Sequence, residues 1–233
     1  MYSLADKEVV KLRRRHWIQA SNIPQARIGW LLEDCSEVED DVMSDVKLWV
    51  KKVLEGKVIR SIGSKDCGLG LMLWGTPGLG KTTLALSIIQ EMMINFPIEA
   101  FDVREGNTVI TPCYFSTYND ILDLKGRTME ETVNDLDINL YNGLLGECRN
   151  DAFNVRVLII DDIGKEHASL SGWQKNMLHH ILRTRFNNGL PTIVTTNIEL
   201  DDWAGLYGDA TESFAHEAFV YLPLESGGKD LRK

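Results

Sequence analysis

The chain has 233 residues, 44% of them apolar, enough to build the core of one domain with at most a short appendage. Its formal net charge of −9 excludes a nucleic-acid binder held by a broad basic face, so any nucleic-acid contact must be local. Cys35, Cys67, Cys113 and Cys148 form no C-x-x-C pair, which argues against a zinc ribbon or disulfide framework and fits a reduced, cytoplasmic setting, and no apolar run suits a membrane span or signal peptide.

In chain order, residues 5–19 place Val9, Val10, Leu12, Trp17 and Ile18 among charges and predict a short amphipathic helix, broken at Asn22-Ile23-Pro24. Lys11, Arg13, Arg14, Arg15 and His16 form a basic cluster within it, and an acidic run from Glu33 to Asp41 follows. The basic cluster is either a solvated helix face or a contact for a partner or DNA. Val42, Val46, Val50, Val53 and Leu54 recur at helical spacing and predict a helix over 38–54 that ends near Gly56. Residues 63–68 read as a loop leading into the first clear core strand, 69–74.

Residues 70–83, GLMLWGTPGLGKTT, join an apolar strand to a helix through a glycine-rich turn. Gly75, Gly78 and Gly80 open backbone angles closed to other residues, so successive N–H groups can point inward at a phosphate while the following helix offers its positive end. The run Gly75-Thr76-Pro77-Gly78-Leu79-Gly80-Lys81-Thr82-Thr83 matches G-x-x-x-x-G-K-[ST] without gaps and is the expected binding loop for a nucleoside triphosphate. Lys81 supplies a cation for the β- and γ-phosphates, and Thr82 a hydroxyl for Mg²⁺. The bland alternative is a glycine-rich surface turn.

A helix over 83–95 presents Leu84, Ala85, Ile88, Ile89 and Met92 on one face and stops at Pro97. A second strand is expected over 108–116, then helices around 117–125 and 131–149. The apolar run 155–160 reads as a parallel strand covered on both faces, residues 173–187 as a helix, and 191–196 as another buried strand. Strands alternating with helices predict a doubly wound α/β sheet with its ligand at the carboxyl ends of the strands. Asp161 and Asp162 end the 155–160 strand, where the first would hold the Mg²⁺ shell opposite Thr82 and the second would orient or deprotonate the attacking water. Asn197, at the end of the 191–196 strand, is the candidate polar contact near the γ-phosphate, with a helix cap or turn as its alternative role.

GTPGLGKTT, VLIIDDIGKE, RFNNGLPTIVTTN and the upstream SNIP together resemble the DnaC/DnaI/IstB family of AAA+ ATPases over roughly residues 21–233. The resemblance implies a P-loop NTPase: an α/β AAA+ core whose central parallel sheet is flanked by helices, with no C-terminal lid domain. It implies Mg-ATP as ligand, side-by-side self-association, contact with single-stranded DNA and a DnaB-like replicative ring helicase as partner. Residues 36–233 would form the ATPase domain and residues 1–35 a short helical extension available to a partner. The family's single-strand contact would fall within 116–150, where Tyr118, Lys125 and Arg127 stand. Phe214 stands where the family places an arginine that reaches a neighbour's γ-phosphate, which implies slow hydrolysis unless Arg183, Arg185 or Arg232 substitutes. The ending from Gly228 to Arg232 also matches the family. Helicase loading is the leading function, with an IstB-like transposition helper or an ATP-binding decoy of a helicase or loader as alternatives.

Overall fold

The computed structural model describes residues 4–56, 59–62, 65–101, 109–130, 132, 134–164 and 172–225. Two helices lead the chain, α1 (Leu4–Ala20) and α2 (Asp40–Leu54), followed by a hairpin of β1 (Ile59–Ile62) and β2 (Lys65–Gly68). Then come β3 (Gly70–Trp74), α3 (Lys81–Asn95), β4 (Cys113–Thr117), α4 (Tyr118–Arg127) and α5 (Asp135–Leu145). The remainder runs β5 (Val157–Ile163), α6 (Gly172–Asn187), β6 (Thr192–Thr196), α7 (Trp203–Tyr207), α8 (Asp209–Ala218) and β7 (Phe219–Pro223).

Five strands pair in the order β4-β5-β6-β3-β7, all parallel. Because side chains alternate across a strand, a run with no polar break must bury both of its faces. Leu71, Leu73, Val157, Ile159 and Ile193 point into one core with α1, α2 and α3, while Met72, Leu158, Ile160 and Val194 point into the other with α4, α6 and α8. Each such side chain contributes about 1.5–3 kcal/mol on burial. Inserting β6 between β3 and β5 brings the ends of three central strands together, and the site is built there.

The N-terminal segment belongs to the first of these cores. Trp17 is fully buried, its indole N–H donates to Val109 O at 3.3 Å, and its ring meets Phe101 edge-on at 5.4 Å. The turn after α1 then runs beside the outer edge of β4: Phe115 N–H donates to Ser21 O, and Asn22 Nδ2 donates to Phe115 O, both at 2.9 Å. Asn22 makes that turn in the left-handed region at φ 60.

Several boundaries differ from the sequence reading. Lys65–Gly68, expected in a loop, is a strand paired with Ile59–Ile62, with residues 63 and 64 outside the described residues. The second core strand covers Cys113–Thr117, and Thr108 lies outside the described residues. The helix expected over 131–149 is α5: Asn134 caps its start by accepting from Leu136 N–H, and Gly146, at φ 74, ends it. The fifth strand, β7, was not foreseen. Among the described residues no helical unit follows it, and none of the helices is long and apolar enough to cross a membrane.

Candidate nucleotide-binding site

The turn between β3 and α3 has the backbone that its glycines permit. Gly75, at φ 154, donates its N–H to Thr196 O, and a Cβ there would lie 2.5 Å from Leu224 O, so no larger residue fits. Gly78 and Gly80 also have positive φ, at 97 and 77, and Gly80 starts α3. Leu79 is buried and pins the loop to the core, while Thr76 and Pro77 are exposed. Thr82 and Thr83 follow in the first turn of α3.

Lys81 is only 7% exposed because its side chain folds under the loop. Its ammonium donates to Gly75 O at 2.6 Å, to Thr76 O at 2.9 Å and to Asn197 Oδ1 at 2.7 Å. The cation is therefore fixed between the loop and the end of β6, with its desolvation offset by three charge-assisted hydrogen bonds.

Thr82 Oγ1 donates to both oxygens of Asp161, at 2.9 and 3.2 Å. Asp161 is buried inside β5, which runs two residues past it rather than ending at 160 as the sequence suggests, and it also accepts from Thr195 Oγ1 at 2.6 Å. The register between β5 and β6 shifts between Ile160 and Ile163, so Asp161 and Asp162 together oppose Thr195. This is a β-bulge, and it re-aims the two acids. Asp162 has φ 61, a left-handed conformation uncommon for a residue other than glycine, and its N–H donates to Thr195 Oγ1 at 2.9 Å. Thr195 thus holds the bulge from both sides. It was missed in the sequence, where it reads only as a β-branched strand residue; its position opposite paired acids, one strand away, becomes visible only through the register.

The structure brings Gly75 to Thr83, Asp161 and Asn197 into one connected cluster and sets Asp162 beside it. A triphosphate fits the residues present: a glycine loop in which Gly75 leaves no room for a Cβ, an adjacent ammonium and the first turn of a 15-residue helix. Thr82 and Asp161 offer the oxygen donors that Mg²⁺ prefers and are the residues that would hold it. When bound, the ion would neutralise charge on the phosphate oxygens.

Other expected residues are placed elsewhere. Tyr118 is buried and donates its hydroxyl to Gln174 O, so it cannot stack on a base. Lys125 lies 4.5 Å from the centroid of the Tyr141 ring, and Arg127 pairs with Asp137 at 3.3 Å. Phe214 is packed edge-on against Phe186 at 5.3 Å and His179 at 5.8 Å, inside the second core. Of the arginines that could replace it, Arg185 is fully buried. It donates to Thr192 Oγ1 and to the carbonyls of Leu144, Val155, Arg156 and Pro191. Burial pushes its pKa down to about 9, which still leaves it charged at neutral pH, and it is structural. Arg183 is exposed, with its guanidinium 5.3 Å from the Phe214 ring centroid. Arg232, Lys165, Glu166 and the ending from Gly228 lie outside the described residues.

A parallel sheet in this strand order, with a glycine loop feeding α3 and a threonine–aspartate pair across from it, defines a P-loop protein of the AAA+ class. The chain belongs to the family described as IstB-like ATP binding protein, whose model matches residues 56–216. Its fold is similar to that of DnaI, at TM-score 0.56 and 18% identity over 91% of this chain and 95% of that one. It is also similar to a protein described as a primosome component of Streptococcus pyogenes serotype M3, at TM-score 0.55 and 18% identity over 92% and 97% of the two chains. The replication initiator DnaA, solved with AMPPCP and single-stranded DNA, matches at TM-score 0.55 and 17% identity over 87% of this chain and 52% of DnaA. A disease resistance protein of Arabidopsis thaliana, RPP1, is 28% identical over 92 residues, so the match spans 39% of this chain and only 8% of that protein.

Proposed function

We propose that the chain is an ATPase that uses Mg-ATP to load a DnaB-like replicative ring helicase onto single-stranded DNA, with slow turnover and with copies associating side by side. The observation that supports this reading best is the convergence of Lys81, Thr82, Asp161 and Asn197 from three strand ends. The fold's likeness to DnaI, and to DnaA solved with AMPPCP and single-stranded DNA, favours a replication setting.

In this mechanism the N–H groups of the loop and the Lys81 ammonium grip the phosphate tail, and Asn197 orients that ammonium toward the γ-phosphate. Thr82 and Asp161 hold the cation. Asp162 accepts a proton from the attacking water or fixes its direction. Its left-handed backbone, tied to Thr195, sets the direction of the carboxylate, and an aspartate reaches one methylene less far than a glutamate would. With Phe214 buried, α8 supplies no cation for a neighbour's phosphate at that position, and an arginine supplied in trans is worth a factor of about 10³ or more in related hydrolases.

The test is ATP turnover, with and without single-stranded DNA and a ring helicase, for the native chain and Asp162→Asn. The expected result is a slow basal rate raised by helicase and DNA, and loss of turnover without loss of ATP affinity in the variant. A native chain that neither binds a hexameric helicase nor promotes its deposition on single strands would sink the loader reading. The family match favours one second reading, a transposition helper of the IstB kind, which ATP-dependent growth of filaments on long duplex DNA would support instead.

A further inference from the structure

Outside the nucleotide site, an imidazole and two carboxylates converge on one place. Glu212 and His216 stand at spacing i, i+4 on α8, which sets both on one face of the helix, and Asp201 comes to them from the short turn Leu200–Asp202 after β6. His216 Nε2 lies 3.3 Å from Asp201 Oδ1 and 3.7 Å from Glu212 Oε1, and one ligand atom from each of the three falls within 4.8 Å of the others.

These are separations that an ion sets more readily than a shared proton. Two ligand atoms bound to one zinc ion at the tetrahedral angle, each about 2.0–2.1 Å from it, stand about 3.3–3.4 Å apart. A charge-assisted N–H to carboxylate hydrogen bond is shorter, about 2.7–2.9 Å, and among the described residues His216 makes none with either acid. Rotation of the carboxylates closes the remaining distance, because Asp201 is 84% exposed and free to turn. Residues 186–225 hold seven aspartates and glutamates and no lysine or arginine, and among the described residues neither Asp201 nor Glu212 pairs with a lysine or arginine from elsewhere. The imidazole decides which ion the set prefers. Oxygens alone would suit Mg²⁺ or Ca²⁺, whereas a nitrogen ligand favours zinc.

We propose that Asp201, Glu212 and His216 bind one Zn²⁺, His216 through Nε2, with water completing the shell. The ion ties the turn after β6 to α8. That turn begins three residues after Asn197, so the metal braces the segment that carries the chain away from the nucleotide site. Affinity lies in the micromolar range, because the exposed Asp201 side chain has to be ordered on binding.

Calorimetric titration of the full chain with Zn²⁺, in the absence of nucleotide, tests this. One ion per chain is expected, and millimolar Mg²⁺ should not displace it. Asp201→Asn, Glu212→Gln and His216→Ala should each weaken Zn²⁺ binding at least about tenfold and leave ATP affinity as in the native chain. At about a hundredfold excess of Zn²⁺ over its Kd the thermal midpoint of the native chain should rise by about 5 °C, and that rise should vanish in His216→Ala. Ring-nitrogen NMR of the native chain needs no variant: Zn²⁺ should move the His216 Nε2 signal and leave those of the other four histidines in place. A native chain that takes up no Zn²⁺, an unmoved His216 signal, or undiminished affinity in His216→Ala overturns the proposal. Displacement by Mg²⁺ also overturns it, and makes the cluster an acidic patch that holds divalent cations loosely.

Discussion

The ends of the central strands and the α6–α8 face differ in what they do with polar groups. At the strand ends two adjacent hydrogen-bonded sets, Lys81 with Asn197 and Thr82 with Asp161 and Thr195, are drawn from α3, β5, β6 and the turn after it. On α8, Phe214 is buried in the second core, edge-on to Phe186 and to the half-buried His179. The strand ends hold charge inside the protein, whereas the α6–α8 face keeps its one nearby cation, Arg183, outside on the Phe214 ring.

Three substitutions can break or sharpen that contrast. The largest effect is expected from Lys81→Ala, which removes the cation between loop and β6: ATP affinity should fall about 100-fold, or about 2.7 kcal/mol, in calorimetric titration. Unchanged affinity would mean that the strand-end cluster is only structural. A smaller loss follows Thr195→Val, which keeps the strand but removes both hydrogen bonds of the bulge. We expect Mg²⁺-dependent ATP affinity to drop about tenfold while binding without the ion changes little, since Asp161 loses the donor that orients it from β6. The smallest effect belongs to Phe214→Leu, which should cost about 1 kcal/mol in denaturant unfolding and leave turnover per folded molecule as it was. A marked fall in turnover would show that α8 takes part in the chemistry after all.

The strand-end region was the more legible of the two because its signals are local. A glycine loop, a lysine and a threonine sit within nine residues, and β3, β6 and the first four residues of β5 carry no charged side chain, which suits strands covered on both faces. Asp161 and Asn197 could be placed because each ends such a run. What escaped depends on partners distant in sequence. Thr195 acts through the register of β6 on β5, and Arg185 reads as one more charge on a helix until five acceptors from separate segments close around it. Tyr118 falls in the segment where the resemblance implies a single-strand contact, yet its ring is enclosed by the core packed on α6. The edge strand β7 was hidden by its mixed pattern, Phe-Val-Tyr-Leu-Pro, in which Tyr221 faces outward and only Phe219 and Leu222 are buried. The β1–β2 hairpin has alternation too weak, and too many charges, to be told from a loop.

The strip formed by Ser21 and Asn22 along β4 has a consequence for the life of the molecule in solution. A sheet margin that offers free amides and carbonyls invites another molecule's strand, and from there ordered aggregates can grow. By occupying both polar groups of Phe115, the start of the chain acts as a selvedge that stops the weave from continuing outward. Shortening the chain past Asn22 would therefore do more than remove a helix: it would leave a sticky seam along the protein.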